Sequence, residues 1–300
     1  MAVFSSAFVP LLKQLSIYFE LSKWRVTSLM LITAWVGMEL AATESIPINT
    51  IFFTLLGIGL IASAAGSLNH LLDIQLDRLM ARTERRPLPQ GKISQIHVLL
   101  FGLIIGVLGT ILLRQFSNSL TMLLSLASLF GYAIIYTLFL KRVTTQNIVI
   151  GGLAGASPPL LGWTSVTSTI DPGGLLLVLI IFTWTPPHFW SLAIARHNDY
   201  IKSKLPILPV THGIPFAKFQ ILLYIALLST VTMLPFCIGM SGIFYLIGVT
   251  LLNTGFLVAA IHLLKQTKGS AAIKTFHYSN FYLLMLFACL LMDHSLMRSI

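Results

Sequence analysis

Charge is scarce in this chain. Of its 300 residues only 9% are Asp, Glu, Lys or Arg, and nine in all are acidic. A water-soluble domain of this length needs far more charge to cover its surface, so a soluble globular protein is excluded. No polar stretch is long enough to form a separate soluble domain, and residues 1–300 read as a single transmembrane domain. Cysteine is nearly absent too. Cys237 and Cys289 both lie inside apolar runs, which excludes a disulfide scaffold or a cysteine metal site. No cleavable signal peptide is expected, because Phe4 to Ser22 is amphipathic and leads directly into long apolar runs.

What is abundant is hydrocarbon. The chain is 56% hydrophobic with a mean hydropathy of +0.88. Apolar runs of spanning length fall at about 26–43, 50–70, 95–113, 119–140, 146–166, 173–194, 216–238, 243–264 and 278–297. Lipid cannot satisfy free backbone groups, so these runs must be helices. The expected fold class is an all-α integral membrane protein of about nine transmembrane helices. The second and sixth runs continue in helical pattern past the bilayer, into 71–82 and 195–199.

The net charge of +10 is not spread evenly. Basic residues gather before the first run (Lys13, Lys23, Arg25) and after the second (Arg78, Arg82, Arg85, Arg86, Lys92). Others follow the fourth (Lys141, Arg142), sixth (Arg196, Lys202, Lys204, Lys218) and eighth (Lys265, Lys268, Lys274). Of the 19 basic residues only Arg114 and Arg298 fall on the opposite side. The positive-inside rule then places the N-terminus in the cytoplasm and the C-terminus outside. Such charge serves topology and anionic headgroups, and no nucleic-acid partner is expected. The two long loops, about 70–94 and 195–215, both face the cytoplasm and follow helices four apart, which hints at a duplicated four-helix unit. A functional site is expected on that side.

The strongest local signal is Asn69-x3-Asp73-x3-Asp77. On a helix each four-residue step drifts only roughly 40°, so the three side chains share a face at spacings of about 6 Å. An amide and two carboxylates in a row are hard oxygen donors suited to Mg²⁺, which can hold a substrate diphosphate. The bland alternative is a solvated helix end with intrahelical arginine pairs. It is disfavoured because two of nine acidic residues stand on this one face. Arg82-Thr-Glu-Arg-Arg86-Pro follows directly, and guanidinium groups bind phosphate oxygens bidentately. Lys141 and Arg142, with Gln146 and Asn147, are further candidate phosphate ligands, or a topology signal only.

Thr185-Pro-Pro-His188-Phe-Trp190 leads into Arg196-His-Asn-Asp199-Tyr200, Lys202 and Lys204. Two prolines inside a span are expected to bend or break it and to free carbonyls. His188 in that break is a candidate ligand or proton donor, or merely hydrogen-bonded to its neighbours. Asp199 is a second-site carboxylate, or half of a surface ion pair. Trp184 and Trp190 read as packing aromatics, with cavity walls as the alternative. Gly151, Gly152 and Gly155, with Ala154 and Ala156, form a small-residue face for close helix packing or for a bulky substrate, and Pro158-Pro159 kink the same run.

These residues carry a resemblance. Asn69–Asp77 with Arg82–Leu88 resembles the first aspartate-rich motif of the UbiA superfamily of intramembrane prenyltransferases. Tyr136-Thr with Lys141-Arg142, Gln146–Gly152 with Pro158–Trp163, and Thr185–Trp190 with Asp199-Tyr200 and Pro206–Pro209 resemble the branch that farnesylates protohaem. Lys23-Trp-Arg25-Val-Thr-Ser28 is similar to the family's opening Lys-Pro-Arg stretch, with Trp24 in place of proline. The likeness covers roughly residues 20–215, and the last three helices match only as apolar spans. A second motif usually offers two aspartates four apart, whereas here Asp199 is followed by Ser203.

The resemblance implies a UbiA-type bundle in a bacterial inner membrane, with its site on the cytoplasmic side. It implies transfer of the farnesyl group of farnesyl diphosphate to a vinyl group of haem b, with water added, giving haem O. Asn69, Asp73 and Asp77 would be catalytic and would bind one or two Mg²⁺ ions, with Asp199 as a further ligand. Arg78, Arg82, Arg86, Lys141, Arg142 and Lys204 would hold phosphate. Arg25, Gln146 and Asn147 would contact substrate, and His188 the porphyrin or its iron. Membrane lipid and a downstream haem-modifying enzyme or terminal oxidase are the implied partners. The competing readings are an aromatic quinone precursor or a chlorin as acceptor, a transporter with broken helices, and an assembly factor. The acidic residues sit at helix ends and not at mid-membrane, which argues against transport.

Overall fold

The computed structural model describes residues 14–266 and 269–299. Residues 4–13 of the amphipathic N-terminal segment, and Lys13 and Lys268 of the charge pattern, lie outside the described residues.

Everything described is helix, turn or loop. In chain order the helices are α1 (14–21), α2 (Trp24–Ala41), α3 (Ile48–Leu72), α4 (Ile74–Asp77), α5 (Gln95–Phe116) and α6 (Ser119–Phe130). A π-helix, Gly131–Leu140, continues α6 into α7 (Lys141–Val143). Then come α8 (Asn147–Ala156), α9 (Pro158–Thr167), α10 (Pro172–Ala195), α11 (His197–Lys202), α12 (Leu208–Thr211), α13 (Ile214–Val231), α14 (Leu234–Cys237), α15 (Ile243–Lys265) and α16 (Gly269–Ser299). Local chemistry sets several starts. Ser94 accepts from the His97 N–H at the head of α5, and Asn118 accepts from the Thr121 N–H at the head of α6. Pro172, Pro158 and Pro215 occupy first-turn positions, where no donor is lost.

Among the described residues, seven helices are long and apolar enough to cross a membrane: 48–72, 95–116, 119–143, 172–195, 214–237, 243–265 and 270–298. The two remaining expected crossings take other forms. α2 is an 18-residue helix. The run 146–166 is split at Ser157 into α8 and α9, ten residues each, as Pro158-Pro159 dictate.

Two expectations are corrected. Pro186-Pro187 do not break α10, which runs unbroken through both. The hydroxyls of Thr185 and Ser191 donate one turn back, to the carbonyls of Ile181 and Pro187, at 2.8 and 2.6 Å. The helix bearing Asn69 does not extend to residue 82 either. α3 stops at Leu72, Asp73 takes φ −96° and ψ 4°, α4 adds one turn, and turns follow.

Two apolar cores carry most of the bundle, beside a small third cluster of Leu21, Leu88 and Val98. The larger joins α10 to α13, α15 and α16 around Trp190, Tyr245, Phe256 and Tyr282. The smaller joins α2, α3, α5 and α9 around Ala34, Ile58, Ile61, Leu113 and Leu161. Ile58, Ile61 and Leu161 of one core and Ile181, Trp184 and Leu283 of the other face the same cavity between them.

Candidate active site

The site grows from the end of α3. Asn69, Asp73 and Asp77 are all buried, at 4%, 2% and 4% exposure. The break at Asp73 does not scatter them, because Asp73 N–H still bonds Asn69 O at 3.0 Å and Asp77 N–H bonds Asp73 O at 2.8 Å. The row survives as two helical pieces sharing one hydrogen-bond ladder.

Each carboxylate is matched to a cation. Lys141 Nζ lies 2.6 Å from Asp73 Oδ2, and Arg86 Nη1 lies 2.7 Å from Asp77 Oδ2. These are the two ion pairs among the described residues. Asn69 Nδ2 donates to Asp73 Oδ2 at 2.8 Å and to Thr137 Oγ1 at 3.1 Å. Lys23 donates to Asn69 Oδ1 and, at 3.2 Å, to the Tyr132 hydroxyl. Enclosure of the Lys23 ammonium brings it down to about 7, with Arg86 pushing the same way and the Asp73 and Asp77 charges opposing.

The π-helix decides who meets whom. Tyr132 and Lys141 are nine residues apart, which in an α-helix is about two and a half turns and puts them on opposite sides. The wider π turn brings nine residues close to two full turns. Tyr132, Thr137 and Lys141 thus all reach the Asn69–Asp73 cluster.

The other site candidates divide. Arg142 donates to the Leu72 carbonyl at 3.1 Å, clamping the end of α3. Asn147 is buried, and its amide bonds the carbonyls of Lys141 at 3.2 Å and Pro206 at 3.3 Å, tying the Lys141 segment to the loop after α11. Arg78, Arg82, Gln146 and Lys204 are exposed, Arg25 is exposed where it borders the cavity, and Asp199 is half-buried on α11. Among the described residues no three His, Cys, Asp or Glu side chains converge as a ligand set. Asp199 is thus not part of a ready three-carboxylate group with Asp73 and Asp77.

The donor set nonetheless fits a hard cation. Asp73 Oδ1 is buried with no hydrogen-bond partner, and an orphaned buried carboxylate oxygen is costly unless something binds it. Lys141 and Arg86 neutralise the pair here. A cation at Asn69, Asp73 and Asp77 would free both to face an anion.

Beside this cluster lies a cavity of about 780 Å³, with Lys23, Tyr132 and Tyr136 in its wall. Its walls are overwhelmingly apolar or small. Gly155 faces open space, Gly152 faces Thr185, and Gly151 is seated against the Tyr136 ring, so the small-residue face both packs and makes room. His188 is in the wall, stacked between Trp184 and Phe276 at centroid distances of 4.2 and 4.7 Å. Its Nδ1 lies 2.7 Å from Ser279 Oγ. Ser279 already donates its one proton to the Phe276 carbonyl at 2.6 Å, so it accepts from His188 Nδ1–H. Nε2 is then the nitrogen with the free lone pair.

Sequence reasoning passed over several cavity residues: Lys23 as a site member, Tyr132, and Phe276, His277 and Asn280 on α16. Lys23 and Tyr136 stood inside quoted stretches. The α16 residues carried no signal beyond apolar length.

A membrane bundle with a buried carboxylate pair ringed by cations, opening on an apolar cavity, defines a site for an anionic head and a long apolar body. The chain belongs to the UbiA prenyltransferase family, whose model matches residues 30–288. It is 54% identical to a protoheme IX farnesyltransferase of Legionella pneumophila (strain Corby), covering 92% of this chain and 94% of the relative. It is 52% identical to one of Hahella chejuensis, covering 92% and 93%. Among solved structures it resembles a digeranylgeranylglyceryl phosphate synthase (TM-score 0.78, 20% identity, 94% and 99% of the two chains). It also resembles a UbiA homolog from Archaeoglobus fulgidus bound to DMAPP and Mg²⁺ (TM-score 0.65, 16% identity, 91% and 98%).

Proposed function

We propose that this chain transfers the farnesyl group of farnesyl diphosphate to a vinyl group of haem b, giving haem O. The observation that carries this reading is the juxtaposition of the neutralised Asp73/Asp77 pair with an apolar cavity holding His188. The relatives named protoheme IX farnesyltransferase support the same acceptor.

The bond from the farnesyl carbon to the diphosphate oxygen breaks, and diphosphate leaves with the electron pair. The vinyl carbon attacks the allylic cation and forms the new carbon–carbon bond. Water captures the resulting porphyrin-side cation and loses a proton, leaving a hydroxyl. Asn69, Asp73 and Asp77 would hold Mg²⁺, one ion or two, which would supply positive charge against the departing diphosphate. Lys141, Arg86 and Lys23, turned from their resting partners, stabilise the same charge as it develops. The walls of the cavity exclude water until capture. The basic end faces the cytoplasm of a bacterial cell, as the distribution of Lys and Arg supports.

The direct test is to incubate the purified protein with haem b, Mg²⁺ and labelled farnesyl diphosphate and to weigh the porphyrin product. Haem O is expected. Product formed only with an aromatic acid in place of haem b would overturn the choice of acceptor.

His188→Ala should weaken haem b binding roughly tenfold or more and shift its absorbance band, with farnesyl diphosphate binding nearly unchanged. An unaltered spectrum and affinity would return His188 to a packing role. In the Lys141→Ala/Arg142→Ala protein the donor KM should rise, kcat should fall, or both. Lys141→Ala alone should account for most of the loss, because Arg142 contacts only a backbone carbonyl. Cysteine accessibility should show unchanged orientation, and normal kinetics in the double variant would reduce the pair to a topology signal.

A further inference from the structure

The cavity wall has a charge imbalance that the diphosphate site does not use. Among its lining residues two are cations, Lys23 and Arg25, and none is Asp or Glu. Lys23 is committed to Asn69 and Tyr132. Arg25 is in no ion pair and only sits beside the Trp24 ring, at 5.5 Å. On the facing α16, the His277 side chain makes no hydrogen bond and lies edge-on to the ring of Phe276. Asn280 spends its amide on its own helix, at the Phe276 carbonyl, which leaves its side-chain oxygen uncommitted. Phe276 is the ring packed against His188. His277 and Asn280 therefore border the part of the cavity that holds His188, and Arg25 lines the same cavity from α2, which packs against α16. Lys23, Tyr132 and Tyr136 mark the diphosphate side.

A protohaem acceptor carries vinyl groups on one edge and two carboxylates on the other. Carboxylates entering an apolar cavity unpaired would cost several kcal/mol each. The vinyl edge must face the allylic carbon beside the Asp73 cluster, which turns the carboxylate edge the other way. We infer that Arg25, His277 and Asn280 form a carboxylate subsite that takes the propionates of the porphyrin acceptor and so fixes which edge meets the farnesyl donor. The inference rests on the acceptor being a porphyrin, as proposed above.

The test uses the full chain in detergent and two ligands, protohaem and its dimethyl ester, titrated by absorbance. The ester keeps the iron, ring and vinyl groups and removes both negative charges. The wild-type protein should bind the free acid at least roughly tenfold tighter than the ester. In Arg25→Gln/His277→Leu that preference should vanish through loss of acid affinity alone, with the ester bound as in the wild type. Arg25→Lys should keep most of the preference, and its recovery shows that charge rather than helix geometry is read. A wild-type protein without preference, or a double variant that retains it, overturns the subsite while leaving the porphyrin reading intact. Failure of the wild-type chain to bind either form overturns the porphyrin reading itself.

Discussion

Asp73→Ala and Asp77→Ala should each cut turnover by at least about a thousandfold, roughly 4 kcal/mol of transition-state stabilisation. Each carboxylate is a hard donor on the buried row and the counter-charge of a cation placed for diphosphate. Alanine has a second effect. It leaves Lys141 or Arg86 partly buried without a partner, which by itself is destabilising. The asparagine variants separate the two effects. Asp73→Asn and Asp77→Asn keep an oxygen for the neighbouring cation and remove the negative charge. They should remain folded, insert normally and be as inactive as the alanine forms. Steady-state kinetics on detergent-purified protein, with a thermal melt of each variant, makes the check. Activity within a few-fold of wild type in a folded asparagine variant would remove the metal role from that residue.

Gly162→Ala should prevent accumulation of folded protein. α2 and α9 cross at backbone contact distance. A Cβ on Gly162 would fall 1.8 Å from the Ala34 carbonyl oxygen, and one on Gly37 would fall 2.1 Å from that of Pro159. The obstruction is backbone, so no side-chain rotation relieves it, and the helices would have to separate. Their separation would open the wall of the smaller core at Ala34 and Leu161. Overpacking usually costs about 1–3 kcal/mol, and a backbone clash at a helix crossing belongs to the larger values. Gly155→Ala is the control, since its added methyl meets nothing within 4 Å. Size-exclusion profiles and melting temperatures should show Gly155→Ala near wild type and Gly162→Ala aggregated. Gly162→Ala recovered at wild-type yield, with a melting temperature within a few degrees, would mean that the crossing is not required for folding.

Much of the site was legible in the chain because its signals are local. Asn69, Asp73 and Asp77 keep their spacing through the break in the helix, since a four-residue interval is enforced by the backbone ladder itself. Lys141 could be picked out by charge, but not its partner. Its pairing with Asp73 spans 68 residues and depends on a π-helix that no residue type announces. Pro186-Pro187 misled for the opposite reason. Proline removes a donor locally, but whether the helix breaks depends on what packs around it, here α8, α9, α13 and α16 against α10. Asn147 reads as a candidate phosphate ligand beside Lys141 and Arg142; its amide nitrogen holds the Lys141 segment in place, and its buried Oδ1 has no hydrogen-bond partner.

The sequence by itself determined the solvent and the helices. Lipid forbids unpaired backbone, so composition leaves little freedom. It also held the donor row Asn69, Asp73 and Asp77, where a short stretch of backbone keeps the donors in order. The tertiary structure alone decided the cavity. Its walls come from α2, α3, α6, the π-helix, α8, α9, α10 and α16, and its shape depends on how closely those helices approach. Helix approach is set by side-chain volumes at contacts far apart in sequence, such as Gly37 with Pro159 and Gly162 with Ala34. Periodicity within one helix holds no record of which face of another it will meet. For that reason Phe276, His277 and Asn280, in a helix that reads only as an apolar span, came to line the cavity beside His188.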